Sequence, residues 1–469
     1  LLGQRLPFRP VRRILILTAV AALLGASDFD DRCRAVLAGV PAGGLAGVVV
    51  ADAATGAVLY QRNGDQQLSL ASTTKALVAA AALAELGPSF QFRTRVVGLG
   101  PVQDGTVPGL GVIGGGDPCL DDHFSDKDPD AHFRTWAQQL KAAGVTLVQG
   151  DIVIDGRLFS GPIRPDTYPQ DAENLSRWYS APASAFAWND NCLEVRVVPT
   201  RVGQPCEVQV RPRSPRVVLV NLTRTASGKG DNRLHVARAP DANAITVSGT
   251  YSVATAWFPL AIHSDPELLA GEHLKAVLLE NGVHVAAGTS VRLGPVQPGP
   301  PLAGGEHPLL PALTVMNQHS QNFYGEQVLR VIGFLRAGEG SIAAGTKAVK
   351  QALLKLVGPA ASSIELQDGS GLSYGNRASA SAMVAVLTAM AREQYREDFY
   401  GTLKDKDRGN TAVRVKTGTL AVATCLVGYA DPPGGRRRAF AILFNKGESR
   451  DFGWAPRTRD QLVRVIAAP

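Results

Sequence analysis

Ala71-Ser72-Thr73-Thr74-Lys75 stands where the sequence changes character. Before it, residues 45–52 and 57–61 carry Val49, Val50 and Val58 and read as two strands around the turn 53–56. After it, the Ala-rich run 73–86 reads as a helix, closed by Gly87-Pro88. A spacing of three puts Ser72 and Lys75 on one face of a helix start. A nucleophile there lies beside the partial positive charge of the helix N-terminus, which favours developing negative charge. A nearby amine whose pKa is lowered can take the serine proton. Taken alone, the plainer reading is an N-cap serine followed by a surface lysine.

Outward from this helix the pattern divides. From about residue 90 to 300 short Val-rich strands alternate with Gly/Pro turns, with a helix near 132–143. The Pro/Gly-rich stretch 294–305 reads as a linker. Helices return over 322–335, 342–356 and 380–392. Strands follow over 413–416, 425–430 and 439–444, then an amphipathic helix near 458–466. This organisation predicts one α/β domain split by a β-rich insertion. Its parts are a leader over 1–27, a first half over 28–95, an insertion over 96–305 and a second half over 306–469.

Two further constellations carry chemistry. Ser320-Gln321-Asn322 opens a predicted helix: a serine can relay a proton, and an asparagine amide can hold a peptide group. Val413-Arg414-Val415-Lys416-Thr417-Gly418-Thr419 is a strand ending in K-T-G. It offers a cation, a hydroxyl and a backbone edge that can pair with an extended peptide. Each motif alone is commonplace. Together, S-x-x-K, S-x-N and K-T-G occur in that order, each in its expected setting. A closely similar set marks penicillin-binding proteins and class A β-lactamases.

Composition narrows the classes. With 45% hydrophobic and 19% charged residues, the chain can build a large core. The net charge of +7 suits an anionic wall polymer or a substrate carboxylate. No basic run with interleaved aromatics points to nucleic acid. Arg9, Arg12 and Arg13 precede an apolar run over 14–26, the layout of a secretory signal peptide, with an uncleaved N-terminal anchor as the alternative. That run is shorter than the roughly 20 residues that span a bilayer. The cysteines Cys33, Cys119, Cys192, Cys206 and Cys425 form no C-x-x-C pair, and Cys192 and Cys206 are candidates for a disulfide. No histidine pattern suggests a metal, and no cofactor is expected.

The sequence resembles the class C low-molecular-mass penicillin-binding proteins, the D-alanyl-D-alanine carboxypeptidases/endopeptidases. Beyond the three motifs, Gly114 to Pro118 resembles the family's GGGDP turn and Gly150 to Asp155 its GDIVID strand. Ala181-Pro182-Ala183-Ser184-Ala185 with Asn189 and Asn191 is similar to its AP-x-SA…N-x-N stretch. Asp368 to Ser373 with Asn376-Arg377, and Lys416 to Thr419 with Gly428-Tyr429, resemble DGSGLS and KTGT…GY. About 250 residues separate Ser72 from Ser320, which fits class C and exceeds what a compact β-lactamase needs. There are departures: Leu70 where proline is frequent, Gln321 inside S-x-N, Tyr374 after DGSGLS where arginine is frequent, and Cys119 after GGGDP.

The resemblance implies a transpeptidase-like (β-lactamase-like) α+β domain, with a five-stranded antiparallel sheet flanked by helices. It implies Ser72 as nucleophile, Lys75 as base, Ser320 as proton relay, Asn322 as substrate and Lys75 holder, and Lys416 as partner of Lys75. Thr417 with Lys416 would bind the terminal carboxylate. Gly418 leaves room for substrate backbone, and Thr419 supplies an oxyanion-hole N–H. Asp155 would face the substrate, or else serve as a turn residue at the strand end. Lys416 is expected to depress Lys75 by like-charge repulsion. Peptidoglycan stem peptides and β-lactams are the implied ligands, in the periplasm or outside the cell. The rival readings are a β-lactamase, an esterase-like hydrolase, and a wall-binding scaffold with a decayed site.

Overall fold

The computed structural model describes residues 28–212, 214–238, 242–407 and 409–469. The basic and apolar N-terminal segment, 1–27, lies outside the described residues.

The main sheet is six-stranded and antiparallel. Its order is Lys404–Asp405, Ala412–Leu420, Ala423–Asp431, Arg438–Asn445, Leu45–Asp52, Val58–Arg62. Five strands are long, as the family resemblance implies; the sixth is the two-residue edge Lys404–Asp405. The first long strand closes on the last: Leu45–Asp52 pairs with Arg438–Asn445 over its whole length. The chain therefore leaves this sheet after its second strand and returns near its end. Successive side chains of the run 48–51 point to opposite faces. Val48 and Val50 pack on the side of the terminal helices 28–37 and Trp454–Ala467. Val49 and Ala51 pack on the side of Thr74–Leu86, Asn322–Ala337, Ile342–Val357 and Ala380–Met390. Helix Thr74–Leu86 is buried all round from Thr74 to Leu83, so its alanines serve close packing rather than an amphipathic surface.

The departing chain builds a second, mixed sheet in the order Val291–Leu293, Ile152–Asp155, Leu110–Ile113, Gln91–Gly98, Pro301–Pro308. Helices Ala131–Ala142 and Pro266–Glu280 cover it through Phe133, Trp136, Leu140, Leu274 and Val277. Smaller sheets follow, among them Glu207–Arg211 with Cys192–Val198 and Phe258–Ala261, and Val218–Thr225 with Ala244–Tyr251 and His235–Arg238.

Three sequence expectations need correction. The stretch read as a linker ends in a strand, Pro301–Pro308, paired from Pro301↔Val97 to Pro308↔Gln91. It lies at the sheet edge, where proline and glycine are tolerated because one side of the backbone needs no partner. Helix Pro266–Glu280 was not expected; Pro266 sits at a position where its missing N–H costs nothing. Cys192 and Cys206 do not pair: all five cysteines are buried free thiols. Among the described residues no helix is long and apolar enough to cross a membrane.

Candidate active site

The site begins at a strained turn. Ala71 has φ +49°, outside the region usual for a residue with a side chain. A 3-10 turn, Ala71–Thr73, then runs into helix Thr74–Leu86. Thr73 Oγ1 donates to the Leu70 carbonyl at 2.6 Å and Thr74 Oγ1 to the Ala71 carbonyl at 2.9 Å, which ties the turn down. Ser72 is thereby left partly exposed while Lys75, one turn later, is fully buried. The Lys75 ammonium donates to Ser72 Oγ at 3.1 Å, Asn322 Oδ1 at 2.6 Å and the Ser370 carbonyl at 2.5 Å. Three donors meet three acceptors. Burial brings Lys75 down to about 7, against the opposing charges of Asp368 and Glu326.

Helix Asn322–Ala337 brings the second motif. Ser320, at φ +61°, turns the chain into it, and Asn322 reaches Lys75. The other end of the Asn322 amide donates to the Tyr179 carbonyl at 2.8 Å. From the sheet side, Lys416 Nζ donates to Ser320 Oγ at 2.9 Å and to the Thr417 carbonyl at 2.8 Å. Lys416 is also buried and lies well below the ordinary lysine value, first through burial, then through the charges of Lys75 and Lys404. Repulsion between the two amines adds to this and disfavours a charge on both at once. Burial is the first cause for both.

The strand Ala412–Leu420 is paired on one side along its full length with Ala423–Asp431. On its other side, among the described residues, only Arg414 and Val415 have strand partners, Asp405 and Lys404, and the Val413 carbonyl accepts from the Lys406 N–H. Residues 416–420 therefore present an open backbone edge beside Ser72. Gly418 permits the approach: a Cβ there would lie 2.7 Å from the Leu70 carbonyl oxygen and 3.0 Å from the Thr73 nitrogen. Thr417 is half-buried and Thr419 exposed along this edge.

The structure thus gathers Ser72, Lys75, Ser320, Asn322, Lys416, Thr417, Gly418 and Thr419. Asp155 is held elsewhere, in the inserted sheet. Its carboxylate accepts from Arg157 at 2.7 and 2.8 Å and from the Val296 N–H at 3.0 Å, and these bonds keep it below the usual carboxylate value despite its burial.

Sequence reasoning did not assign a role to Ser370, whose carbonyl holds Lys75; a backbone oxygen leaves no mark on residue choice. Its loop is shaped by Asp368, which accepts from the N–H groups of Ser370 at 3.0 Å, Gly371 at 2.6 Å and Ser373 at 2.8 Å. One group, Asp121, His123 and Asp190, could offer three ligand atoms to a cation among the described residues. Tyr324 donates to Asp121 Oδ2 and Gln321 Nε2 to Asp190 Oδ2 at 3.1 Å, while Asp190 Oδ1 is buried without a partner among the described residues.

Residues 32–468 match the D-Ala-D-Ala carboxypeptidase 3 (S13) family. The chain belongs to that family. It is 33% identical to a D-alanyl-D-alanine carboxypeptidase of Actinomadura sp., over 91% of this chain and 81% of that one. It is 25% identical to the D-alanyl-D-alanine carboxypeptidase DacB of Haemophilus influenzae, over 88% of each. The crystal structure of penicillin binding protein 4 from Haemophilus influenzae shares the fold: TM-score 0.75 at 24% identity, covering 93% of this chain and 99% of that one. The same relative has been solved in complex with a β-lactam. As a member of the S13 family the chain is a serine-type D-alanyl-D-alanine carboxypeptidase on a penicillin-binding α+β fold.

Proposed function

We propose that Ser72 is the acylated nucleophile of a carboxypeptidase/endopeptidase acting on peptidoglycan stem peptides, and that β-lactams acylate the same oxygen. The observation that carries this is the hydrogen bond between Ser72 Oγ and the buried Lys75. A lysine near 7 is neutral in part of the population at physiological pH and can act as a base. Ser72 Oγ attacks the carbonyl carbon of the penultimate D-Ala, and its proton passes to Lys75. The oxyanion is met by the N–H groups of Ser72 and Thr419, an arrangement worth a few kcal/mol of barrier. The proton taken up by Lys75 is relayed through the Ser320 hydroxyl, which Lys416 holds, to the departing D-Ala amine as the C–N bond breaks. Lys75 is then neutral again and Ser320 keeps a proton. Water then cleaves the ester and the serine regains its proton.

Substrate lies along the open edge 416–420 as an added strand. Its terminal carboxylate meets Lys416 and Thr417. A neutral Lys416 gains its proton as the carboxylate arrives, because an opposite charge favours the ammonium. Asn322 exchanges its Tyr179 partner for a substrate amide. Asp155 takes no part in this scheme. The leader over 1–27 supports export to the periplasm or cell surface. A β-lactamase reading is disfavoured by the insertion, and a decayed scaffold by the intact set of catalytic groups.

A fluorescent penicillin should label Ser72 covalently, as peptide mapping will show. Labelling of another serine, or undiminished labelling of Ser72→Ala, would overturn the assignment. Mass analysis of muropeptides after digestion separates terminal D-Ala release from cross-link cleavage.

A further inference from the structure

Helix Asn322–Ala337 carries a carboxyl that the scheme above leaves unused. Glu326 lies four residues after Asn322, so the two share a helix face. It is buried, and it makes every hydrogen bond through one oxygen. Oε1 accepts from the Gly369 N–H at 3.0 Å, the Ser370 N–H at 2.9 Å and the Tyr168 hydroxyl at 3.0 Å. Oε2 is buried without a partner among the described residues. The two amides belong to the loop whose Ser370 carbonyl receives Lys75. A neutral amide oxygen would accept the same three bonds. An ionisable group with one oxygen buried and unpaired is costly, which points to a use for its charge.

We propose that Glu326 is a positioning residue for acylation: it fixes the Ser370 carbonyl against Lys75, and its negative charge, when present, holds the proton on that amine. The proposal rests on Lys75 being the base. The charges around the pair come from several elements. Lys75 is faced by Asp368 and Glu326, and Lys75 in turn acts on Lys416. Glu326 is faced by Asp368, Arg330 and Tyr168, and Arg330 by Glu267. Burial, helped by the Asp368 charge, lifts Glu326 to about 7, where Lys75 arrives from above. A charged Glu326 favours the protonated Lys75, and a neutral Glu326 favours the free amine that can act as base. Loss of the carboxylate charge should release the amine at lower pH.

The test is the second-order rate of acylation by a fluorescent penicillin, followed between about pH 5 and 9 in the full chain. Glu326→Gln keeps the acceptor oxygen and removes the charge, so its acidic limb should move down by about one pH unit. Glu326→Asp keeps the charge, so its limb should stay with the wild type while the rate falls about tenfold through the shorter reach. A Glu326→Gln limb that coincides with the wild type overturns the proposal. So does a Glu326→Asp limb displaced downward, which remains decisive should Glu326→Gln fail to fold. Lys75→Ala is run beside them: acylation that survives it refutes Lys75 as base, whereas its loss with unmoved Glu326 limbs refutes the role of Glu326 alone.

Discussion

With Lys75 brought to about 7 by burial, its amine sheds its proton as pH rises through neutrality. Acylation by a β-lactam should therefore plateau above about 7 and fall about tenfold for each unit below it. A stopped-flow or gel-based rate profile checks this; a flat profile down to about pH 5 would remove Lys75 as the titrating base. Lys416 acts on the same cleft from the sheet. Lys416→Ala deletes the contact to Ser320 and the counter-charge for substrate, and should slow acylation by about a hundredfold or more. Lys416→Arg should also be poor, because a planar guanidinium does not fit the place of an ammonium that reaches both Ser320 Oγ and the Thr417 carbonyl. Rates indistinguishable from the wild type in Lys416→Ala would refute this role.

Between elements, the critical distance is that from the K-T-G strand to the nucleophile turn. Gly418→Ala drives a methyl into the Leu70 carbonyl and the Thr73 nitrogen, both backbone atoms that cannot swing aside. Overpacking of this kind costs about 1–3 kcal/mol. A lower melting temperature together with slower acylation is the expected result; unchanged values in both would show that strand and turn have slack. The elements that meet here were largely legible in the sequence. The predicted helix over 73–86 became Ala71–Thr73 plus Thr74–Leu86, and the strand over 413–416 extends through Leu420. Alanine runs and Val-rich alternation declare themselves locally. What stayed hidden are contacts made by backbone groups, such as the Ser370 and Tyr179 carbonyls, because any residue supplies a carbonyl. The edge strand Pro301–Pro308 stayed hidden for the opposite reason: proline and glycine there speak of a turn, and only tertiary pairing overrules them.

Across the whole molecule, the inserted part reaches into the cleft. We take 96–305 as the insertion between the halves 28–95 and 306–469. Tyr168 bonds Glu326, Tyr179 bonds Asn322, Ser184 bonds Gln327, and Ser160 bonds Arg330. Excising the insertion would strand these buried groups, each at about 1–3 kcal/mol. A truncated chain joining the halves should therefore fail to fold or to be acylated; a truncated chain acylated at the full rate would show that the insertion is dispensable. The five buried free thiols make a separate prediction: an excess of reductant should leave the melting temperature unchanged, and a drop would reveal a disulfide. Finally, the edge 416–420 that awaits a peptide is equally a template for any extended chain, including another copy caught part-unfolded. Its brevity is its protection. A cleft filled by a covalent penicilloyl group loses that vacancy, so the acylated protein should aggregate more slowly on heating than the free one.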